Sequence, residues 1–256
     1  MLSAMETWGV LGIGQMVGLG LAETLSEADL VERYFNKMER VDYDLGIGKR
    51  IHALEAAGYI QGHSYLRQPR AFTLTQKGLE ALSDEPETCH PDVRDAVSEA
   101  LIKHELKVSA VGLLLTQLLG LSARRELPKA VWTHSHGRRH LTLEGAADLW
   151  IDSPTEPRAI EIELTQKSKK RYQDIFETYR RRLPLGGAVL YMTGWPEGAG
   201  LILRNARAER APFVYACALD EFRTSAGRCL FQGAVPERTI RLGDRPAVAV
   251  APEVAR

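Results

Sequence analysis

Apolar and polar positions alternate with two different periods along the first third of the chain. Ser26 precedes acidic Glu27 and Asp29 and an amphipathic stretch through Phe35, which predicts a capped helix. After a polar turn at Asp42 to Asp44, Ile47, Ile51 and Leu54 recur at helical spacing, predicting a second helix over Leu45 to Ala57 with one buried stripe. Gly58 ends it and Tyr59-Ile60 opens a strand. Gln61 to Pro69 reads as a polar turn, Ala71 to Leu74 as a returning strand, and Thr75 to Leu82 as a short capped helix. Ahead of these, the apolar, glycine-rich run Trp8 to Ala22 predicts a buried first helix.

Ser83 to Pro91 is acidic and carries two prolines, the pattern of a linker. It divides the chain into residues 1–88 and 89–256. A long helical pattern follows from Asp92 to Leu119. Short apolar strands are expected at Ala130 to Thr133, Asp148 to Ile151 and Arg158 to Leu164. A basic amphipathic helix spans Gln166 to Arg182. Strands near Ala188 to Tyr191 and Phe213 to Ala216 are joined by a Pro/Gly-punctuated connection. This mixture predicts an α+β or α/β domain around a small central sheet, with no internal repeat.

Composition changes this picture little. The chain has 256 residues and 45% apolar residues, with 33 basic and 33 acidic side chains cancelling to zero. That balance argues against a polyanion-coating role but permits a local basic face. Cys89, Cys217 and Cys229 stand far apart without CxxC spacing, predicting neither a disulfide framework nor a zinc site and suggesting a reducing, cytoplasmic compartment. The Trp8 to Ala22 run is shorter than a membrane span and lacks a basic flank, so no membrane partner is expected. Gly12, Gly14 and Gly18 mimic a dinucleotide loop, a reading set aside because no strand is predicted before them.

Helix, turn, helix, strand, basic loop, strand, helix is winged-helix order, and "ALEAAGYI…RAFTLTQKGLEAL" resembles the winged helix-turn-helix DNA-binding families. With Ile47, Ile51 and Leu54 facing a core, Lys49, Arg50 and Ala53 face out, as on a recognition helix reaching base edges or phosphates. Arg67 and Arg70 flank the expected wing tip, where a backbone or minor-groove contact would form.

Three carboxylates stand out in the second part. Asp148 opens one apolar strand, and Glu161 and Glu163 lie inside another, sharing a face opposite Ile160, Ile162 and Leu164. Neighbouring carboxylates repel unless a cation sits among them. Mg²⁺, with Mn²⁺ as a substitute, is the candidate that could activate water at a phosphodiester. The competing reading is a solvated face that keeps an edge strand soluble. Lys167, Lys169, Lys170, Arg171, Arg180, Arg181 and Arg182, against only Asp174 and Glu177, favour a phosphate-binding helix beside the acidic strand, with Lys170 and Arg171 as DNA contacts.

An aspartate on one strand, a strand bearing Glu-x-acid and a Lys-rich helix resemble the PD-(D/E)xK restriction-endonuclease-like fold. More narrowly, "LIKHELKVSAVGLLL", "GAADLWID" and "AIEIELTQKSKKRYQDIFETYRR" behind a winged helix resemble the replication-relaxation family, which includes the MobC-type mobilization relaxases. The resemblance implies a plasmid or mobile-element protein that nicks DNA at a transfer or replication origin. Asp148 and Glu161 would be metal ligands, Glu163 would stand where the motif has lysine, and Lys167 or Lys170 would take over that lysine's role. The implied partners are double-stranded DNA, a second copy of the chain and other mobilization or replication proteins. The Glu163 departure, and Ala147 where a proline usually stands, keep a second reading open: a winged-helix regulator with a degenerate nuclease-like domain. Elsewhere, His134 and His136 would share a strand face before Gly137-Arg138-Arg139, which reads as a basic hairpin tip. His104 is expected to be a packing or capping residue, and Tyr172 and Tyr179 core residues.

Overall fold

The structure, a computed structural model, describes residues 10–21, 23–35, 46–64, 70–82, 99–125, 129–135, 138–144, 147–153 and 156–242. The expected linker and the division at 88/89, the turn at Asp42 to Asp44, Arg67, Cys89 and His136 lie outside the described residues.

The N-terminal elements are β1 (Val10–Gly12), α1 (Ile13–Gly20), α2 (Glu27–Phe35), α3 (Ile47–Ala56), β2 (Ile60–His63), β3 (Ala71–Leu74) and α4 (Gln76–Glu80). The strands form an antiparallel sheet in the order β1-β3-β2. Ser26 caps α2 through its Oγ, which accepts the Asp29 N–H at 3.2 Å. Ile47 and Ile51 bury the inner face of α3. Gly58, at φ 76°, turns the chain out of that helix in a conformation that costs other residues more.

Two expectations need correction here. The apolar run is not all helix, because β1 precedes α1 as a partner of β3. The ground for setting aside a dinucleotide loop therefore fails. The outcome stands for a different reason: β1 is antiparallel, and the Gly12 N–H is spent on Gln15 Oε1 at 2.8 Å. The turn expected over Gln61 to Pro69 starts later, since β2 continues to His63.

The rest comprises α5 (Glu99–Gln117), β4 (Ala123–Arg124), β5 (Lys129–Ser135), β6 (Arg138–Glu144), β7 (Leu149–Ile151), β8 (Arg158–Glu163), α6 (Lys169–Arg182), β9 (Ala188–Thr193), α7 (Gly198–Ala208), β10 (Val214–Ala218), α8 (Leu219–Thr224), β11 (Leu230–Gly233) and β12 (Thr239–Arg241). β5 and β6 pair as a separate hairpin. The others form a seven-stranded mixed sheet, β12-β11-β10-β9-β8-β7-β4, larger than the small sheet expected. β8, β9 and β10 run parallel, and each return is made by a helix, as a parallel pair requires. The second return, α7, occupies what reads in sequence as an irregular connection.

The sheet is covered on both faces, giving a mixed α+β architecture. Leu149, Ile160, Ile162, Leu190 and Met192 join α5 in one cluster that continues into the N-terminal elements. Ala159, Val189, Tyr191, Val214 and Ala216 pack against Tyr172, Phe176 and Tyr179 of α6 and Ile202 and Ala206 of α7. α5 also ties the two parts of the chain together. Gln15 Nε2 donates to Leu106 O at 2.8 Å and Tyr34 O at 3.2 Å, and Ser109 Oγ donates to Val10 O at 2.6 Å. Among the described residues, no helix is long and apolar enough to cross a membrane.

Candidate functional site

β8 is the third strand from the β4 side of the seven, not an edge strand. The solvated-edge explanation for its glutamates therefore does not hold. Glu163 is only 3% exposed, and its Oε2 has no hydrogen-bond partner. Glu161 lies in register with Tyr191 of β9 and accepts a hydrogen bond from the Tyr179 hydroxyl of α6. Strand alternation thus turns both glutamates toward α6.

Asp148 stands one residue before β7. The β7–β8 pairing stops at Leu149 and Ile160, so Ile162 has no β7 partner. Side chains replace it. Asp148 Oδ2 accepts the Ile162 N–H at 2.7 Å, and His104 Nε2 of α5 lies 2.9 Å from the Ile162 carbonyl. That carbonyl can only accept, so Nε2 carries the proton, 3.4 Å from Asp148 Oδ2. Behind the ring, His104 Nδ1 is 3.8 Å from Glu105, which pairs with Arg125 at 2.5 Å. Arg125, Glu105, His104 and Asp148 form a chain of alternating charge leading to the site.

The electrostatics follow from this placement. Burial, reinforced by the Asp148 charge, raises the Glu161 carboxyl to about 8, against the opposing pull of Tyr179, Lys167 and His104. Burial opposes charge on His104, but Asp148 and Glu105 override it and raise the imidazole to about 10. Burial pulls Lys167 down, while Glu161 and Asp148 hold its charge in place. The Lys167 ammonium contacts Glu163. Lys167 lies in the loop before α6 rather than in that helix, which Ser168 caps by accepting the Arg171 N–H at 3.3 Å. The Lys167 N–H donates to the Tyr172 hydroxyl at 3.2 Å, fixing the loop against the helix.

Asp148, Glu161, Glu163 and Lys167 are therefore brought into one electrostatic cluster. His104, expected to be a packing or capping residue, caps the Ile162 carbonyl and belongs with them through Asp148. Histidine within an amphipathic helix carries no signal of a carboxylate 44 positions downstream. Among the described residues, no group of three or more His, Cys, Asp or Glu side chains is arranged to hold a metal ion. The donor chemistry nevertheless suits a hard cation: three carboxylates share the site, and one Glu163 oxygen is buried without a partner.

The expected DNA contacts fare differently from one another. Lys49, Arg50 and Ala53 are exposed on α3, and Lys170 and Arg171 on the first turn of α6. Arg70 is instead engaged with the protein itself, paired with Glu55 at 2.5 Å and set 5.1 Å over the Phe72 ring. Cys217 and Cys229, distant in sequence, bring their sulfur atoms within 3.5 Å in the core as free thiols. Tyr172 and Tyr179 are buried, as expected for core aromatics. No family model, curated protein or solved structure matches the chain.

Proposed function

We propose that the chain is a metal-dependent DNA-nicking protein of a plasmid or mobile element, of the replication-relaxation type. In this reading residues 1–88 are a winged helix that selects a transfer or replication origin in double-stranded DNA. The order β1-β3-β2, with α3 presenting Lys49 and Arg50 outward, supports that assignment. Residues 89–256 are a PD-(D/E)xK-type nuclease domain. Support comes from α5, the antiparallel run β4-β7-β8, the crossover α6 and the parallel strand β9.

The observation that carries the catalytic reading is the shared cluster of Asp148, Glu161 and Lys167, in which burial and then the Asp148 charge raise the Glu161 carboxyl. Asp148 and Glu161 would hold Mg²⁺, or Mn²⁺ in its place, with Glu163 assisting. Such an ion supplies Lewis acidity and a lowered pKa for water. Lys167, four residues beyond Glu163, provides the cation absent from the usual motif position and offsets charge building on a phosphate. His104 holds Asp148 and the β8 backbone at a fixed separation.

Supercoiled plasmid carrying the cognate origin, incubated with protein and Mg²⁺, is expected to give open circles, and Asp148→Ala is expected to give none. Absence of nicking by wild type, or equal nicking by the variant, overturns the catalytic reading. The second reading, a non-enzymatic regulator, is favoured by Asp148 already being engaged by His104 and Ile162 and by Lys167 being occupied with Glu163. Specific gel-shift binding without metal-dependent thermal stabilisation would select it.

A further inference from the structure

α6 and α7 lie side by side on the sheet face turned away from α5. Their outer surface is far more basic than the chain as a whole. From Lys169 to Arg182 and from Glu197 to Arg210 there are nine Lys and Arg against four Asp and Glu, in a protein whose charges as a whole sum to zero. Arg180, Arg181, Arg182, Arg204, Arg207 and Arg210 are all exposed.

Arg180 and Arg210 bring the C-terminal ends of α6 and α7 onto one surface. Arg180 Nη2 donates to the carbonyl of Glu209 at 2.7 Å, beyond the end of α7, and Gln173 Nε2 donates to Glu209 Oε1 at 2.5 Å. Arg207 Nε donates to the Ala234 carbonyl at 2.8 Å, fixing the neighbouring turn. Cations near helix C-termini are favoured by the helix dipole, which accounts for part of the cluster. It does not account for Arg204, in the body of α7. Nor does it account for Arg210, which adopts φ 51° where glycine or asparagine is the easier residue.

α6 has 14 residues and is about 21 Å long, so its basic surface extends a full helix length from Lys169 to Arg182. Tyr179 of the same helix reaches Glu161 from the buried face, whereas Arg180, Arg181 and Arg182 are exposed, so these arginines lie on the side of α6 turned away from the cluster. We infer that the α6–α7 face is a second nucleic-acid contact surface, which holds the phosphate backbone of duplex DNA independently of base sequence. Arginine predominates at its far end, and its planar fork suits phosphate oxygens. The near end, Lys169 to Arg171, runs into the carboxylate cluster, so a backbone lying along α6 is led toward it. The inference rests on the DNA-processing reading above and adds a contact surface remote from the winged helix.

The test uses the full chain and fluorescence anisotropy of a labelled duplex of arbitrary sequence, titrated across a range of salt. A triple variant, Arg181→Gln/Arg204→Gln/Arg210→Gln, is compared with the matching Arg→Lys triple, and thermal melts check that both fold. Each lost phosphate contact lowers the salt slope by about 0.9, so the Gln triple is expected to lose between about two and three from the slope. Its low-salt affinity should fall at least about tenfold, with the Lys triple retaining most of both. An unchanged slope in the Gln triple, with Lys49→Ala/Arg50→Ala still weakening origin binding, overturns this inference and leaves the DNA-processing reading standing. No duplex binding by wild type overturns both. Tighter binding of labelled poly-glutamate than of duplex overturns the choice of DNA as partner.

Discussion

Replacing Glu161 with glutamine should alter the pH dependence of stability more than stability itself. The carboxyl is raised from its ordinary 4.5 to about 8 in the folded, metal-free protein. The folded state therefore binds a proton that the unfolded chain releases in that interval. Stability from this group is complete below about pH 4.5 and is lost as pH rises through about 8. At about 1.4 kcal/mol per pKa unit, the loss is at most about 5 kcal/mol. Glutamine keeps the shape of the protonated acid and still offers Tyr179 an acceptor, but it cannot ionise. In EDTA, denaturant unfolding at about pH 5 should give Glu161→Gln a stability close to wild type. At about pH 9 the variant should be the more stable by several kcal/mol. His104, raised to about 10, adds a separate loss above 6.5 that both proteins share. A variant equally destabilised at both pH values, or a wild type whose stability does not fall between them, refutes the buried placement of Glu161 beside Asp148.

Three further outcomes follow from contacts elsewhere. Gln15→Leu strips the Gly12 N–H of its acceptor and the Leu106 and Tyr34 carbonyls of their donor, and is expected to cost about 3 kcal/mol by denaturant unfolding. An effect below about 1 kcal/mol would show that this buried junction between β1, α2 and α5 is not formed. Gly78→Ala would place its Cβ 2.1 Å from the Tyr59 carbonyl, which already accepts the Thr75 N–H. It should lose about 2 kcal/mol, whereas Lys77→Ala at the exposed neighbour should lose far less. Diamide should link Cys217 to Cys229 within one chain, since their sulfur atoms need only close from 3.5 Å to about 2.05 Å. Peptide mapping that finds only interchain links or mixed disulfides would contradict their packing.

Local periodicity made much of this chain legible. The stripe of Ile47 and Ile51, the Ser26 and Thr75 caps and the alternation of β8 are short-range signals, and α2, α3, β3 and β8 fall close to where these signals lie. The shared face of Glu161 and Glu163 follows from the same alternation. Burial of Glu163 does not, because it depends on β9 pairing beside it and on the loop before α6 bringing Lys167 against it. β11 and β12 are short strands whose order in the sheet is set by long-range pairing, so no local pattern marks them. His104 and the Cys217–Cys229 contact depend on where distant segments meet. Arg70 reads as a free wing cation only while Glu55, 15 residues earlier on α3, is left out.

Asp148 and Glu161, with Glu163 assisting, are proposed to form a divalent-cation site served by Lys167. Anomalous diffraction from crystals grown with Mn²⁺ tests it most directly. A manganese peak bound by Asp148 and Glu161 is expected in wild type and none in Asp148→Ala. A wild-type crystal with no peak there, in which Asp148 still lies against His104 and Lys167 against Glu163, would contradict it.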